Sequence, residues 1–162
     1  MSSNTGHVTA ADEHWMRRAL QAAIEAEQRG EVPIGACVVA GSELLAVAGN
    51  LTRTECDPTA HAEIVALRAA AQKLGNYRLT DSVVYSTIEP CAMCAGALIQ
   101  ARVGRLVYGA RDEKAGAVES HFQICDAGML NHRVIVMTGV LEAECRTLMQ
   151  EFFKKRRSGE IV

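Results

Sequence analysis

Two short segments carry residue types that chemistry requires. His61-Ala62-Glu63 is followed, thirty residues after the histidine, by Pro90-Cys91-Ala92-Met93-Cys94. One imidazole and two closely spaced thiols offer three ligands for zinc, one fewer than a closed tetrahedral site uses. Structural zinc sites take all four ligands from protein, whereas catalytic ones leave one position for water. Glu63, two residues from the histidine, is then free to handle the protons of that water, which describes a hydrolytic zinc enzyme.

The spacings support a shared site. Cysteines three apart on a helix lie about 60° apart around its axis, so both can reach one ion. Exposed amides and the positive dipole end in a first helical turn also favour thiolates. Alone, Cys-x-x-Cys fits a redox dithiol or an incidental pair equally well. In mid-helix, His61 and Glu63 would point about 200° apart. The sequence predicts a helix start at Asp57-Pro58-Thr59, with Asp57 as cap and Pro58 in first position, which puts both residues in the first turn. A non-catalytic zinc module would need a fourth protein ligand. His7, His14, His121 and His132 are the remaining histidines, and none has metal-site spacing.

The elements that must position these residues follow from the apolar pattern. Residues 11–29 carry Trp15, Met16, Ala19, Leu20, Ala23 and Ile24 at helical spacing, with Gly30 as a stop. Strand-like runs at 34–40 and 43–49 flank Gly41-Ser42, predicting a hairpin. The His61 helix runs to about residue 74. It is followed by a strand at 82–88, a helix at 91–101, strands at 105–109 and 133–137, and an amphipathic helix at 141–157. This alternation predicts an α/β sheet covered on both faces. Two helix N-termini would then converge at the C-terminal edge of the sheet, where open α/β sheets bind ligands. The 91–101 helix has almost no polar face, so it should be buried on two sides. One side can be the sheet and the other a second subunit, making a homo-oligomer the expectation.

Composition sets outer bounds. A chain of 162 residues that is 49% hydrophobic and 22% charged is long enough for one packed domain. No apolar run reaches the roughly 18 residues of a membrane span. Residues 1–11, small and polar, read as a leader and not as a signal peptide. Six cysteines do not make a disulfide framework in a chain that is neither short nor evidently exported, so the expected compartment is a reducing cytoplasm. The net charge of −2 conceals a basic run, Lys154-Lys155-Arg156-Arg157, and a cluster of Arg102, Arg105, Arg111 and Lys114.

The ordered pair His-x-Glu and Pro-Cys-x-x-Cys is the signature of zinc-dependent nucleobase deaminases, a worked case of base-flipping chemistry. The likeness is wider than the signature. Asp57-Pro58-Thr59-Ala60-His61-Ala62-Glu63, Asn76-Tyr77-Arg78-Leu79, Glu89-Pro90-Cys91-Ala92-Met93-Cys94-Ala95-Gly96-Ala97 and Gly109-Ala110-Arg111-Asp112 resemble the bacterial tRNA-specific adenosine deaminases of the TadA type. So do Asn131-His132-Arg133-Val134 and Phe152-Phe153-Lys154-Lys155-Arg156-Arg157, and the resemblance extends from about Glu13 to Arg157.

The resemblance implies a cytidine deaminase-like fold: a three-layer α-β-α architecture around a mixed sheet of about five strands. It implies a deaminase domain over residues 12–157, with 158–162 as a tail. One zinc ion per subunit would be held by His61, Cys91 and Cys94, with Glu63 as proton shuttle. The implied reaction is hydrolysis of adenosine to inosine at the wobble position of a tRNA anticodon, typically the arginine tRNA reading ACG, by a homodimer that binds the anticodon stem-loop across both subunits. Asn50 falls at the family's position for holding the target nucleoside, and Pro33 and Ile34 at its pocket wall. Arg111 and Asp112 match a segment near neighbouring anticodon nucleotides, while Phe153, Arg156 and Arg157 match the helix closing over the loop. The alternative within enzymes is a deaminase of a free base or nucleoside, guanine or cytosine.

Overall fold

The computed structural model describes residues 6–160, so residues 1–5 of the expected leader and 161–162 of the expected tail lie outside the described residues. The first helix, α1 (Ala10–Gln28), opens on a capping box: the Thr9 side chain accepts the Asp12 amide while Asp12 accepts the Thr9 amide. The expected hairpin follows as β1 (Gly35–Ala40) and β2 (Glu43–Gly49). Then come α2 (Ala62–Leu74), β3 (Ser82–Ile88), α3 (Ala92–Gln100), β4 (Arg105–Ala110), a single 3-10 turn at Ile124–Asp126, β5 (Ile135–Thr138) and α4 (Glu142–Arg157).

The five strands form one mixed sheet in the order β2-β1-β3-β4-β5. β1 pairs antiparallel with both β2 and β3, while β3–β4 and β4–β5 are parallel. Neighbouring residues along a strand face opposite layers. Val38, Val84, Leu106 and Tyr108 join α2 and α3 on one side, whereas Cys37, Val39, Tyr85 and Val107 join Met16 and Leu20 of α1 and Cys145 of α4 on the other. This is the three-layer α/β architecture that the pattern of elements predicts. Two glycines let α1 lie directly on the sheet. A Cβ on Gly35 would stand 1.9 Å from the Ala19 carbonyl oxygen, and one on Gly49 would stand 2.7 Å from that of Ala22.

Two expectations shift. The second helix starts at Ala62 and not at Asp57-Pro58: Asp57 instead closes a turn, accepting the Thr59 amide at 2.8 Å and its hydroxyl at 2.7 Å. The last strand begins two residues later than the apolar run suggests, at Ile135. In α3, Cys94, Ala95, Leu98 and Ile99 are buried within the chain, while Ala92 and Met93 lie on the side left for the expected second subunit. All six cysteines are free. Among the described residues no helix is long and apolar enough to cross a membrane.

One buried ion pair ties the start of α1 to the sheet. Asp12, 1% exposed, accepts both guanidinium nitrogens of Arg105 at 3.1 Å and the Tyr85 hydroxyl at 2.9 Å. Burial alone would raise the Asp12 pKa, but the hydrogen bonds from Arg105, Thr9 and Tyr85 hold it below the usual aspartate value. A carboxyl whose folded pKa is depressed contributes stability above its unfolded pKa and loses it as pH falls through the folded value. Replacing Asp12 with Asn should therefore cost about 3 kcal/mol at pH 7, by stranding Arg105, and much less near pH 2. Urea denaturation at the two pH values measures the difference, and equal costs at both would show that the charge pairing contributes nothing.

Candidate metal and catalytic site

Two helix starts build the site. His61 and Cys91 are the N-cap residues of α2 and α3, both with extended backbone (φ −68°, ψ 153° and φ −72°, ψ 177°). Neither side chain caps its own helix, so both are free to point at a common centre. Cys94 follows in the first turn of α3 and is fully buried. The Nδ1 atom of His61 lies 3.6 Å from the Cys91 sulfur and 3.5 Å from that of Cys94, and the three ligand atoms lie within 4.8 Å of one another.

A tetrahedral zinc ion with ordinary bond lengths would space an imidazole nitrogen and a thiolate sulfur about 3.6 Å apart. The donor set therefore fits zinc in both chemistry and spacing. Among the described residues no fourth His, Cys, Asp or Glu joins the mutually close set.

Glu63 is beside this set and not in it. The residue is 3% exposed, with one carboxylate oxygen 3.6 Å from the Cys94 sulfur and the other 3.2 Å from the Ser86 hydroxyl. Burial raises its pKa above the usual glutamate value. The imidazole of His61 is also raised, chiefly by its hydrogen bond to Cys91. The two thiols divide: hydrogen bonding from Cys94, followed by His61, lowers Cys91 to about 4, while the same bond and burial raise Cys94. The pair thus favours the thiolate at Cys91 over one at Cys94. Cys37, Cys125 and Cys145 are each pushed up to about 12 by burial, which leaves them inert packing groups.

The other residues singled out by sequence distribute around this centre. Asn50, at the end of β2, accepts the Ala62 amide at 2.8 Å, satisfying an orphan donor at the start of α2. Its own amide donates to no group among the described residues. Its backbone amide bonds the Ile34 carbonyl oxygen at 3.1 Å, which places the Pro33-Ile34 segment alongside. Pro33 is buried and Ile34 half-buried.

Arg111 and Asp112 lie just past β4. Arg111 pairs with Glu119 at 2.9 Å, and Asp112 closes a turn by accepting the amides of Lys114 and Ala115. Phe153 of α4 stands under the Lys114 ammonium, 6.0 Å from ring centre to charge, and so links the closing helix to that loop. Arg156 and Arg157 are exposed on the same helix.

Sequence reasoning missed two buried carboxylates at the site's rim. Glu31, fully buried, accepts the amides of Arg53 and Thr54 and the Thr54 hydroxyl, holding the loop that leads to His61. Glu89, 1% exposed and directly before Pro90-Cys91, accepts the amides of Asp112, Val118, Glu119 and Ser120. An acid closing an apolar strand, as in Thr87-Ile88-Glu89, is the available signal, since such a group must find donors when buried.

This geometry agrees with comparison to known proteins. A family model, MafB19-like deaminase, matches residues 10–157, which makes the protein a deaminase by class. The chain is 48% identical to the tRNA-specific adenosine deaminase of Haemophilus influenzae over 147 residues, 90% of this chain and 85% of that protein. A solved structure from work on A-to-I editing by tRNA:A34 deaminases at the wobble position of transfer RNA superposes with a TM-score of 0.81 at 44% identity, covering 83% of this chain and 98% of that one. A guanine deaminase from Nitrosomonas europaea also superposes, with a TM-score of 0.73 at 28% identity, covering 92% of this chain and 88% of that one. The chain belongs to the family of bacterial tRNA-specific adenosine deaminases, with the cytidine deaminase-like fold.

Zinc requires both sulfurs as thiolates, so loading the metal-free protein at pH 7 should release about one proton from Cys94 and a further fraction from His61. Calorimetry in buffers of different ionisation enthalpy counts those protons. Release of none would mean that both thiols are already ionised.

Proposed function

We propose that this protein carries out zinc-dependent hydrolytic deamination of adenosine to inosine at the wobble position of a tRNA anticodon, with the arginine tRNA reading ACG as the expected substrate. The observation that carries the reading is a buried carboxylate, Glu63, beside a three-ligand set that it does not complete. Relatives named for tRNA-specific adenosine deamination and for A34 editing support a tRNA adenosine as the substrate. The compartment expected for such an enzyme is the cytoplasm.

His61, Cys91 and Cys94 would hold the ion. When bound, zinc supplies the Lewis acidity that makes water a nucleophile at neutral pH. Glu63 takes one proton from the attacking water and delivers it to the ring nitrogen as the water oxygen bonds to the carbon bearing the amino group. It then passes the second water proton to the amino nitrogen as that carbon–nitrogen bond breaks and ammonia leaves. The Ser86 hydroxyl, within hydrogen-bond distance of Glu63 and 2.8 Å from the Ile88 carbonyl oxygen, fixes the carboxylate's orientation. Asn50 offers its unpaired amide to the nucleoside while its oxygen holds the start of α2. Pro33 and Ile34 supply an apolar wall for a base splayed out of its loop. Arg111, Asp112, Phe153, Arg156 and Arg157 face the flanking nucleotides.

A deaminase of a free base such as guanine is the second reading, favoured by the guanine deaminase superposition. The basic-aromatic end of α4 has no use for so small a substrate. Inosine is read as guanosine on sequencing, so transcribed tRNAs incubated with the protein should show A-to-G conversion at the wobble position while free bases remain unchanged. Activity on a free base alone would overturn the tRNA reading. In the same assay Glu63→Ala should retain zinc and lose turnover by about a thousandfold or more. Zinc lost from that variant would make Glu63 a ligand.

The exposed face of α3, with Ala92 and Met93, is the surface on which a second copy would sit. Sedimentation at micromolar concentration should give a mass near twice 17.5 kDa, and Met93→Glu should shift it toward the single-chain mass. A single-chain mass for the unaltered protein would remove the dimer.

A further inference from the structure

We propose that Glu89 is a positioning residue for the substrate: its buried carboxylate fixes the loop after β4, residues 111–120, so that Arg111 and Asp112 are presented to RNA in one arrangement. The inference rests on the tRNA reading given above.

The geometry singles out this carboxylate. One oxygen of Glu89 accepts three successive amides, those of Val118 (3.1 Å), Glu119 (2.9 Å) and Ser120 (3.0 Å). The other accepts the Ser120 hydroxyl at 2.5 Å and the Asp112 amide at 3.3 Å. The main chain on either side of it grips the same loop. The Glu89 amide donates to the Ala110 carbonyl oxygen at 2.8 Å, and the Pro90 carbonyl oxygen accepts the Ala117 amide at 2.9 Å. Two residues later the chain reaches Cys91, so one short segment carries a metal ligand and holds the substrate loop.

Gly116 shows how closely the loop seats. A Cβ there would stand 2.4 Å from the Glu89 carboxylate and 2.5 Å from the Asp112 carbonyl oxygen, so only glycine lets the backbone lie against the carboxylate. No isolated loop of this length, with Ala115, Gly116, Ala117 and Val118 at its centre, has apolar bulk enough to hold its own shape. Glu89 supplies the polar part of its anchoring, beside the burial of Ala117 and Val118 in the core and the turn closed by Asp112. The charge-bearing groups Arg111, Lys114 and Glu119 are left on its outer side.

Glu89→Gln keeps size and shape but replaces one acceptor oxygen by a donor, so the five donors cannot all be satisfied. If the competent loop arrangement falls to about a tenth of the population, KM for an anticodon stem-loop rises about tenfold while kcat at saturation and zinc content hold. Gly116→Ala disturbs the same contact from the loop side and should raise KM similarly. The double variant should be no worse than about either single one, because both release one loop. Hydrogen exchange at the amides of residues 112 and 118–120 gives a readout independent of substrate, and protection there should drop in both variants.

Unchanged KM in both variants, or additive effects in the double, would overturn the proposal. Zinc loss from Glu89→Gln with the loop amides still protected would also overturn it, by making Glu89 a support for Cys91 instead. Failure of the unaltered protein to act on the stem-loop would refute the tRNA reading and this role in it, and the amide protection would still report separately whether Glu89 anchors the loop.

Discussion

The arrangement depends on one topological constraint: two helices must begin at the same point on the same sheet edge. β1 runs antiparallel to both of its neighbours, so β2 and β3 point the same way and end on the same edge. α2 leaves from the end of β2 and α3 from the end of β3. Their N-caps, His61 and Cys91, are therefore brought together by chain direction before any side-chain chemistry is invoked. An N-cap also has the backbone freedom this needs, being neither strand nor helix. Because neither side chain is used to cap, the first amide of α2 takes its acceptor from Asn50. A residue that secures the helix start thus lies against the backbone next to His61.

Three buried glutamates surround this point, and their different surroundings give them different work. Glu31, Glu63 and Glu89 are all 3% exposed or less. Desolvation raises the pKa of each, yet Glu31 and Glu89 end below the ordinary value because backbone amides and hydroxyls converge on them. Glu63 has few such donors and ends above it. Burial alone therefore does not mark a catalytic acid. A carboxylate saturated with donors is an anchor, while one left short of donors retains affinity for a proton. The anchors hold the loops before His61 and after β4, and the unsaturated group is placed between them.

The order of elements and the clustering of His61, Cys91 and Cys94 were legible in the sequence, because periodicity and motif spacing are local signals. The helix start at Asp57-Pro58 was misplaced. An Asp-Pro pair satisfies the preferences of a helix N-terminus, but a turn at Thr59 satisfies the same Asp57 oxygen, and His61 takes the cap position beyond it. The correction strengthens the site, since an N-cap histidine and a second-position glutamate share the helix end more easily than residues farther along a helix begun at Pro58. The Glu89 contacts were not legible, because their donors are backbone amides some 23 to 31 residues away. Amides have no sequence signature, and nothing local in residues 118–130 indicates what they pack against.

The loop after β4 combines a fixed interior with a labile exterior, and that combination suits a surface that must exchange partners. Its backbone is held by hydrogen bonds to a buried charge, which are individually stronger than neutral ones. Its outer ion pair, Arg111 with Glu119, is half-exposed on the arginine side, and such pairs contribute about 0–1 kcal/mol. An arriving phosphate can therefore replace Glu119 on Arg111 at little cost, while the Glu119 amide remains bound to Glu89. The backbone that sets where the guanidinium starts need not move when its partner changes. A chain with net charge −2 can in this way offer Arg111 as a local basic contact while keeping it paired in the free state. The acid that neutralises Arg111 belongs to the loop itself, while the loop's positional order comes from the Glu89 carboxylate beneath it.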